Sequence, residues 1–214
     1  KVVVTERGRD LRLFLNGSLQ FSSIDEYRYH EPLIHLPASH SRTLERALII
    51  GGGDGLALRD VLKWQPQEVT LIDLDAELIN IFKSPNEKLP PQLAKSITAL
   101  NESSLQDSRV TLYSADAFIE IDRLLQQGKS FDAIIVDLPD PSHPDLNKLY
   151  SVNFYARLKQ LLAGDGLIGI QSASPYHAKK AFIAIGKTVK AADFSSVQQY
   201  HDNVPSFGEW GWTI

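Results

Sequence analysis

Cysteine does not occur anywhere in the 214 residues, which excludes disulfides and thiolate metal sites and fits a reducing compartment. Methionine is absent as well, where a chain of this length would ordinarily hold a few. No apolar stretch approaches the roughly 20 residues needed to span a bilayer, and no signal peptide opens the chain at Lys1. Lysine and arginine form no basic run and the net charge is −4, so the sequence does not suit a nucleic-acid binder. The histidines, His30, His35, His40, His143, His177 and His201, are scattered, with no HExxH-type spacing. With cysteine missing too, no metal site is expected. G-x-S-x-G is also missing, which disfavours an α/β-hydrolase triad. The chain starts at Lys1 without an initiator methionine, so it is expected to be a piece of something longer.

What is present is organised around Ala47 to Leu62, ALIIGGGDGLALRDVL. A short apolar run fit for a buried strand leads into Gly51, Gly52, Gly53, Asp54 and Gly55, and then into an amphipathic run with Leu58, Val61 and Leu62 apolar and Arg59, Asp60 and Lys63 polar. That is strand, glycine turn, helix. The glycines let the backbone turn tightly and approach a ligand, and the helix start offers free N–H groups. The spacing is G-x-G-x-G, not the G-x-G-x-x-G of dinucleotide folds. Asp54 would repel a pyrophosphate, so the loop suits a cationic or phosphate-free nucleoside. A plain turn with an aspartate cap is the bland alternative.

A hydrophobic content of 43% and a charged content of 22% are ordinary for a globular domain with a real core, with or without a small appendage. Lys1 to Ser23 reads as three short strands, with Asn16-Gly17 a hairpin turn. Ile24 to Pro37 is dense in acids, tyrosine and histidine, and a polar linker, Ser39 to Thr43, follows. The expected division is therefore residues 1–42, an N-terminal β-strand subdomain, and residues 43–214, a second domain. From Ala47 onward strands alternate with helices. Val69–Ile72, Val110–Tyr113, Ala133–Val136 and Leu167–Gln171 read as strands, Ala76–Phe82, Ala117–Gln127, Val152–Leu162 and His177–Ala191 as helices, and Val197–Tyr200 and Trp210–Ile214 as late strands. This predicts a doubly wound, mostly parallel sheet of the α/β class.

Ligands of such sheets bind at the carboxyl ends of the strands. Here Asp54, Asp73, Asp116 and Asp137 follow successive strands. Asp73 lies 22 residues after Gly51 (73 − 51), the place for an acid that accepts from a ribose diol. Asp73 and Asp116 would equally serve as helix N-caps. Asp137 and Asp140 sit in DLPDP, where the prolines stiffen the loop; a solvated turn is the alternative. Clustered carboxylates repel and raise one another's pKa unless neutralised. A nucleoside-bearing cation, together with an amine, resolves that conflict.

These stretches together resemble the spermidine synthase (polyamine aminopropyltransferase) family. The matching segments are LFLNGSLQ (13–20), DEYRYHEPLIHLP (25–37), LIIGGGDGLALRDVL (48–62), the strand ending in Asp73, DSRV and DAF (107–118), FDAIIVDLPDP (131–141), LYSVNFY (149–155) and VPSFGEWGW (204–212). The resemblance implies a small N-terminal β-hairpin domain before a methyltransferase-like Rossmann fold. It implies transfer of an aminopropyl group from decarboxylated S-adenosylmethionine, a co-substrate, to a polyamine amine such as putrescine, with methylthioadenosine released and no prosthetic group. Carried over by position, Gln20 and Asp73 would hold the sugar region, Asp116 and Ala117 the adenine, and Asp54 the aminopropyl amine, over the glycine loop of Gly51, Gly53 and Gly55. Tyr29 and Asp137 would handle the attacking amine, with Asp137 as general base. His30, Asp140 and Gln171 would bind the polyamine.

The resemblance also implies a homodimer or homotetramer. The ending VPSFGEWGW resembles a bacterial branch in which the domain, cytoplasmic, follows membrane spans outside this stretch. The departures are Ala173, where glutamate would help bind the distal amine, Phe207 in place of tyrosine, and Asp73 in place of glutamate. The first two strip polar groups from the acceptor end. Two other readings stand beside this one. A methyltransferase on the same fold would have no need of the DLPDP acids with the YHE run. A non-catalytic nucleoside- or polyamine-binding domain of a membrane protein would fit Ala173 and Phe207, and the joint presence of Tyr29, Asp137 and Asp140 argues against it.

Overall fold

The structure, a computed structural model, describes residues 1–41, 43–141 and 144–214, with Asp145 described by its backbone alone. Arg42, where the expected division falls, and His143 lie outside the described residues. Strands β1 (Val2–Arg7), β2 (Asp10–Leu15) and β3 (Ser18–Ser22) form an antiparallel meander. Its second turn is the expected Asn16-Gly17, with φ of 51° and 88°; the doubly positive pair matches the right-handed twist of a hairpin. Leu11, Leu13 and Phe21 point inward and are buried.

The next element, α1 (Tyr27–His40), is a helix in a stretch with no helical signal of its own, because Pro32 and Pro37 both lie inside it. Each proline removes an intrahelical donor. Packing compensates: Leu33, Ile34 and Ala38 are buried, and the Pro32 carbonyl accepts from the Tyr200 hydroxyl at 2.9 Å. Gly169 lets the helix come close, since a β-carbon there would lie 2.6 Å from the Leu33 carbonyl oxygen.

After α1 come β4 (Arg46–Gly51), α2 (Leu56–Leu62), β5 (Glu68–Asp73), α3 (Ala76–Lys83), α4 (Pro85–Lys88), α5 (Pro91–Asn101), β6 (Val110–Ser114), α6 (Ala117–Gln126), β7 (Phe131–Asp137), α7 (Pro144–Asn147), α8 (Val152–Leu161), β8 (Leu162–Gln171), α9 (Lys179–Ala191), β9 (Gln199–Val204) and β10 (Gly208–Thr213). The large sheet runs β6-β5-β4-β7-β8-β10-β9, parallel from β6 to β8 and antiparallel through β10 and β9. The expected doubly wound α/β sheet beside a small N-terminal β-unit is thus what forms.

Alternation along β4 divides the core between two faces. Ala47 and Ile49 pack with Leu58 and Val61 of α2 and Ile97 of α5. Leu48 and Ile50 pack with Ile121 and Leu124 of α6 and Phe154 and Leu158 of α8. Both faces are covered, as parallel strands require. The boundaries of β8, β9 and β10 depart from the sequence reading. β8 begins at Leu162 instead of after the Gly166 turn, with a shift in its pairing to β7 between Phe131 and Ala133. β9 starts at Gln199 and runs on to Val204, because pairing from Thr213↔Gln199 to Gly208↔Val204 fixes both late strands as one hairpin.

Candidate active site

Adjacent strands β4 and β7 end side by side, with Gly51 opposite Asp137 in the register. A β-carbon on Gly51 would lie 1.9 Å from the Asp137 carbonyl oxygen, and its φ is +86°, so only glycine fits where the loop leaves the sheet. Beyond it, the Gly53 N–H donates to Asp73 Oδ2 at 2.9 Å, and the Asp75 N–H donates to Asp73 Oδ1 at 2.8 Å. Helix α3 is capped by Asp75, whose carboxylate accepts from the Glu77 and Leu78 N–H groups, which leaves Asp73 with free lone pairs at the strand end. Gly55 precedes α2. Asp54 Oδ1 accepts from the Leu56 N–H at 2.9 Å, so the turn-capping role is real and coexists with a buried carboxylate.

Tyr29 of α1 reaches this edge. Its hydroxyl donates to Asp137 Oδ1 at 2.6 Å, while His30 Nε2 faces Asp137 Oδ2 at 4.0 Å. In the DLPDP loop, Asp140 Oδ1 accepts from the Gln171 amide at 2.6 Å. The Tyr150 hydroxyl donates to the Pro139 carbonyl at 2.8 Å and fixes that loop.

The electrostatics reflect crowded acids in a dry place. Burial pushes Asp54 up to about 6, with Asp137 and Asp73 adding repulsion and His30 opposing. Burial also raises Asp73 and Asp140. The Tyr29 phenol is held well above its ordinary range by burial and then by the Asp137 charge, so it stays a donor. For His30 burial alone would favour the neutral ring, yet the Glu26 hydrogen bond and the charges of Glu26, Asp137 and Asp54 outweigh it and raise the pKa to about 9.

Gly51, Gly53, Gly55, Asp54, Asp73, Tyr29, His30, Asp137, Asp140 and Gln171 therefore gather at one edge. Asp116 and Ala117 stand one strand further out, after β6. Asp116 caps α6 by accepting from the Phe118 N–H at 2.9 Å and holds Lys148 at 2.5 Å. The Ala117 side chain packs in the core. Gln20 lies on β3, where its amide donates to the Ser18 carbonyl at 3.1 Å. Ala173 is buried with a left-handed φ of 64°. Phe207 lies with its ring 6.2 Å from that of Tyr29 and 5.1 Å from that of Trp210, so this side of Tyr29 is aromatic.

Several residues escaped the sequence reading. The polar face expected of α2 is not solvated: Arg59 and Asp60 are buried, and Arg59 holds Glu26 through two hydrogen bonds of 2.9 and 3.1 Å. The i, i+4 spacing of Glu26 and His30 was the available signal. The Asn101 amide pins the Asp54 carbonyl at 3.2 Å, and the Ser104 hydroxyl pins the Gly55 carbonyl at 2.7 Å. Neither carries a local pattern.

Residues 26–214 match a family profile described as the spermine/spermidine synthase domain. A polyamine aminopropyltransferase of Shewanella oneidensis is 55% identical over 202 residues, 94% of this chain and 35% of that protein. Polyamine aminopropyltransferase 2 of Ralstonia nicotianae is 46% identical over 217 residues, all of this chain and 40% of that protein. The chain thus spans little more than a third of the length of these relatives. Among solved structures, a spermidine synthase in complex with the transition-state analogue AdoDATO superposes with a TM-score of 0.83 at 23% identity, over 99% of this chain and 72% of that one. Spermidine synthase from Thermotoga maritima gives 0.79 at 22% identity, over 99% and 70%. At those identities the structural likeness speaks to the fold. Among the described residues, no helix is long and apolar enough to cross a membrane.

Proposed function

The chain belongs to the spermine/spermidine synthase family, and on that premise we propose that it transfers an aminopropyl group from decarboxylated S-adenosylmethionine to an amine of a polyamine such as putrescine. The observation that carries this reading is the Asp137 carboxylate, which takes the Tyr29 hydroxyl at 2.6 Å on one oxygen and stands at an edge shared with Asp54, Asp73 and Asp140. A methyl transfer on the same fold has no need of the Asp137 and Asp140 pair, whereas an acceptor bearing several ammonium groups does.

The chemistry follows from the charges. An amine is protonated near neutrality and must shed a proton to become a nucleophile. Asp137 takes it, with Tyr29 holding the carboxylate in one orientation. The nitrogen lone pair attacks the carbon beside the sulfonium, the C–S bond breaks, and its electron pair stays on sulfur as a neutral thioether. The new bond leaves a secondary ammonium on the product. Asp54 pairs with the aminopropyl ammonium, Asp73 accepts from the ribose hydroxyls, and Gly51, Gly53 and Gly55 allow close backbone approach. Gln20, Asp116 and Ala117 complete the nucleoside site, and His30, Asp140 and Gln171 border the acceptor. Holding both partners in line supplies much of the remaining rate. The division at residues 42 and 43 and assembly as a homodimer or homotetramer belong to the same reading, the latter checked by light scattering.

Mass spectrometry of the products, with decarboxylated S-adenosylmethionine and a panel of di- and triamines, tests the proposal. Methylthioadenosine with one amine heavier by an aminopropyl unit supports it and names the acceptor. Methylated product from S-adenosylmethionine, or nucleoside binding without turnover on any amine, overturns it.

A further inference from the structure

Six side chains of alternating charge run from the surface to the candidate base. Lys63 Nζ meets Asp60 Oδ1 at 2.5 Å, Asp60 Oδ2 meets Arg59 Nη2 at 2.9 Å, and Arg59 Nη1 meets Glu26 Oε1 at 2.9 Å. Glu26 Oε2 meets His30 Nδ1 at 2.7 Å, and His30 Nε2 faces Asp137 Oδ2 at 4.0 Å. The side chains of Asp60, Arg59, Glu26 and His30 are nearly inaccessible. We infer that Glu26 is a positioning residue for the transfer reaction: anchored by Arg59, it fixes His30 as a cation beside Asp137, so that the base stays ionised and oriented among other acids. The kinetic part of this inference rests on the aminopropyl-transfer reading; the charge state of His30 does not.

Geometry carries the point. His30 Nδ1 lies 3.0 Å from the Glu26 carbonyl oxygen as well as 2.7 Å from its carboxylate. Both are acceptors, so Nδ1 must carry hydrogen in every state. A neutral ring would then turn a bare Nε2 lone pair toward the Asp137 carboxylate, whereas an imidazolium turns an N–H toward it. Both Glu26 oxygens are engaged by Arg59, whose Nη1 also donates to the Leu100 carbonyl at 3.0 Å, so the carboxylate cannot swing away. The groups facing His30 are Glu26 and Tyr29 on its own segment, Asp54 from the glycine loop, Asp60 from α2 and Asp137 from β7, with Arg59 of α2 behind Glu26. On β9, which also packs on α1, Asp202 is engaged by Arg28.

Histidine-labelled protein gives the direct readout, with the His30 signals assigned by their loss in His30→Gln. His30 stays imidazolium through neutral pH in the wild type, titrating near 9. In Glu26→Gln its midpoint falls into the neutral range. The limb of kcat/KM for methylthioadenosine release that follows loss of the His30 charge, near 9 in the wild type, then moves down to that midpoint, so the variant keeps its activity below the midpoint and has lost about tenfold one pH unit above it. Glu26→Asp, which keeps the charge, returns the limb toward its original place. A role in folding alone would lower kcat/KM evenly at every pH and leave the limb where it was, and that result overturns the inference. So does a wild-type His30 that titrates below pH 7, a measurement that decides the matter even where Glu26→Gln does not fold. Wild-type protein without turnover on any amine condemns the parent reading instead, and an active wild type with an unmoved limb condemns this one.

Discussion

Replacing Asp137 by asparagine isolates the proton-accepting step. The amide oxygen can still accept from Tyr29, now at 2.6 Å from Oδ1, and the β4–β7 pairing of Gly51 with residue 137 is a backbone matter. Asp54 and Asp73 are held by the Leu56, Gly53 and Asp75 N–H groups, not by the Asp137 side chain. Nucleoside affinity should therefore stay within about threefold, less than 1 kcal/mol. Turnover should not. An alkyl ammonium with a pKa of about 10.4 presents roughly one free amine in 1,000 at pH 7.4. Without a base the variant depends on that fraction, a fall of about 10³-fold, inside the range of 10²–10⁴ typical of a general base. In barrier terms that is about 4 kcal/mol.

The pH profile is the sharper signature of the same variant. Wild-type kcat should be flat around neutrality, because the bound ammonium hands its proton to the enzyme. In Asp137→Asn, log kcat should climb with a slope near one until the amine itself titrates. His30 also loses its anion at 4.0 Å, so some fall in Tm is expected and turnover is measured well below it. Methylthioadenosine release, with both substrates saturating and nucleoside binding followed by calorimetry, is the assay. A kcat within threefold of wild type, or a flat profile in the variant, refutes the base role.

Tyr29→Phe removes a charge-assisted hydrogen bond and should cost about 1.5–3 kcal/mol, or about 10- to 150-fold, in kcat/KM by steady-state assay, with little change in nucleoside affinity. Asp54→Asn should stabilise the protein while removing its preference for a cationic nucleoside over neutral methylthioadenosine. With a folded pKa of about 6 against an ordinary 3.8, both states keep the proton below pH 3.8, the unfolded chain alone releases it between 3.8 and 6, and the whole cost, about 3 kcal/mol, stands above 6. The gain from Asp54→Asn should therefore be larger at pH 7.5 than at pH 5 by urea denaturation; equal gains would show that Asp54 is not strained. Gly51→Ala must displace the Asp137 carbonyl, so it should lower stability by more than about 2 kcal/mol in thermal unfolding and abolish activity together with it.

The legible parts of this chain are those in which local pattern and final environment agree. The apolar run before Gly51, the Asn16-Gly17 turn and the acids at strand ends announce themselves because period, turn chemistry and capping act over a few residues. Helix α1 did not, since Pro32 and Pro37 speak against it locally and only packing on β8, α2 and Tyr200 decides the outcome. The polar positions of α2 misled for a related reason: Arg59 and Asp60 look like a solvated face, yet each finds its counter-charge on an element far away in sequence or beside it. Asn101 and Ser104, which brace the glycine loop, lie on segments whose sequence gives no hint that they return to it. Register told the same story in β9, where the strand read at Val197–Tyr200 runs on through His201, Asp202 and Asn203, too polar to mark a strand until β10 pairs with them.

On the proposed reading, the charge balance of the site also orders the reaction. In the free protein the acids at this edge face one buried cation among the described residues, His30, and burial leaves Asp54 half-inclined to keep its proton. A donor carrying both an ammonium and a sulfonium supplies the missing positive charge, so its binding should expel the Asp54 proton and tighten as pH rises through 6. After transfer the nucleoside has lost both charges, the sulfonium to the C–S cleavage and the ammonium to the acceptor. Once the product amine leaves with that ammonium, Asp54 faces a neutral thioether and again bears its cost of burial. On the same reading, the strained carboxylate that pairs with the cationic donor therefore disfavours the neutral nucleoside left behind, and that difference favours product release. Donor affinity that did not depend on pH between about 5 and 7, or methylthioadenosine bound as tightly as the donor, would remove Asp54 from that role.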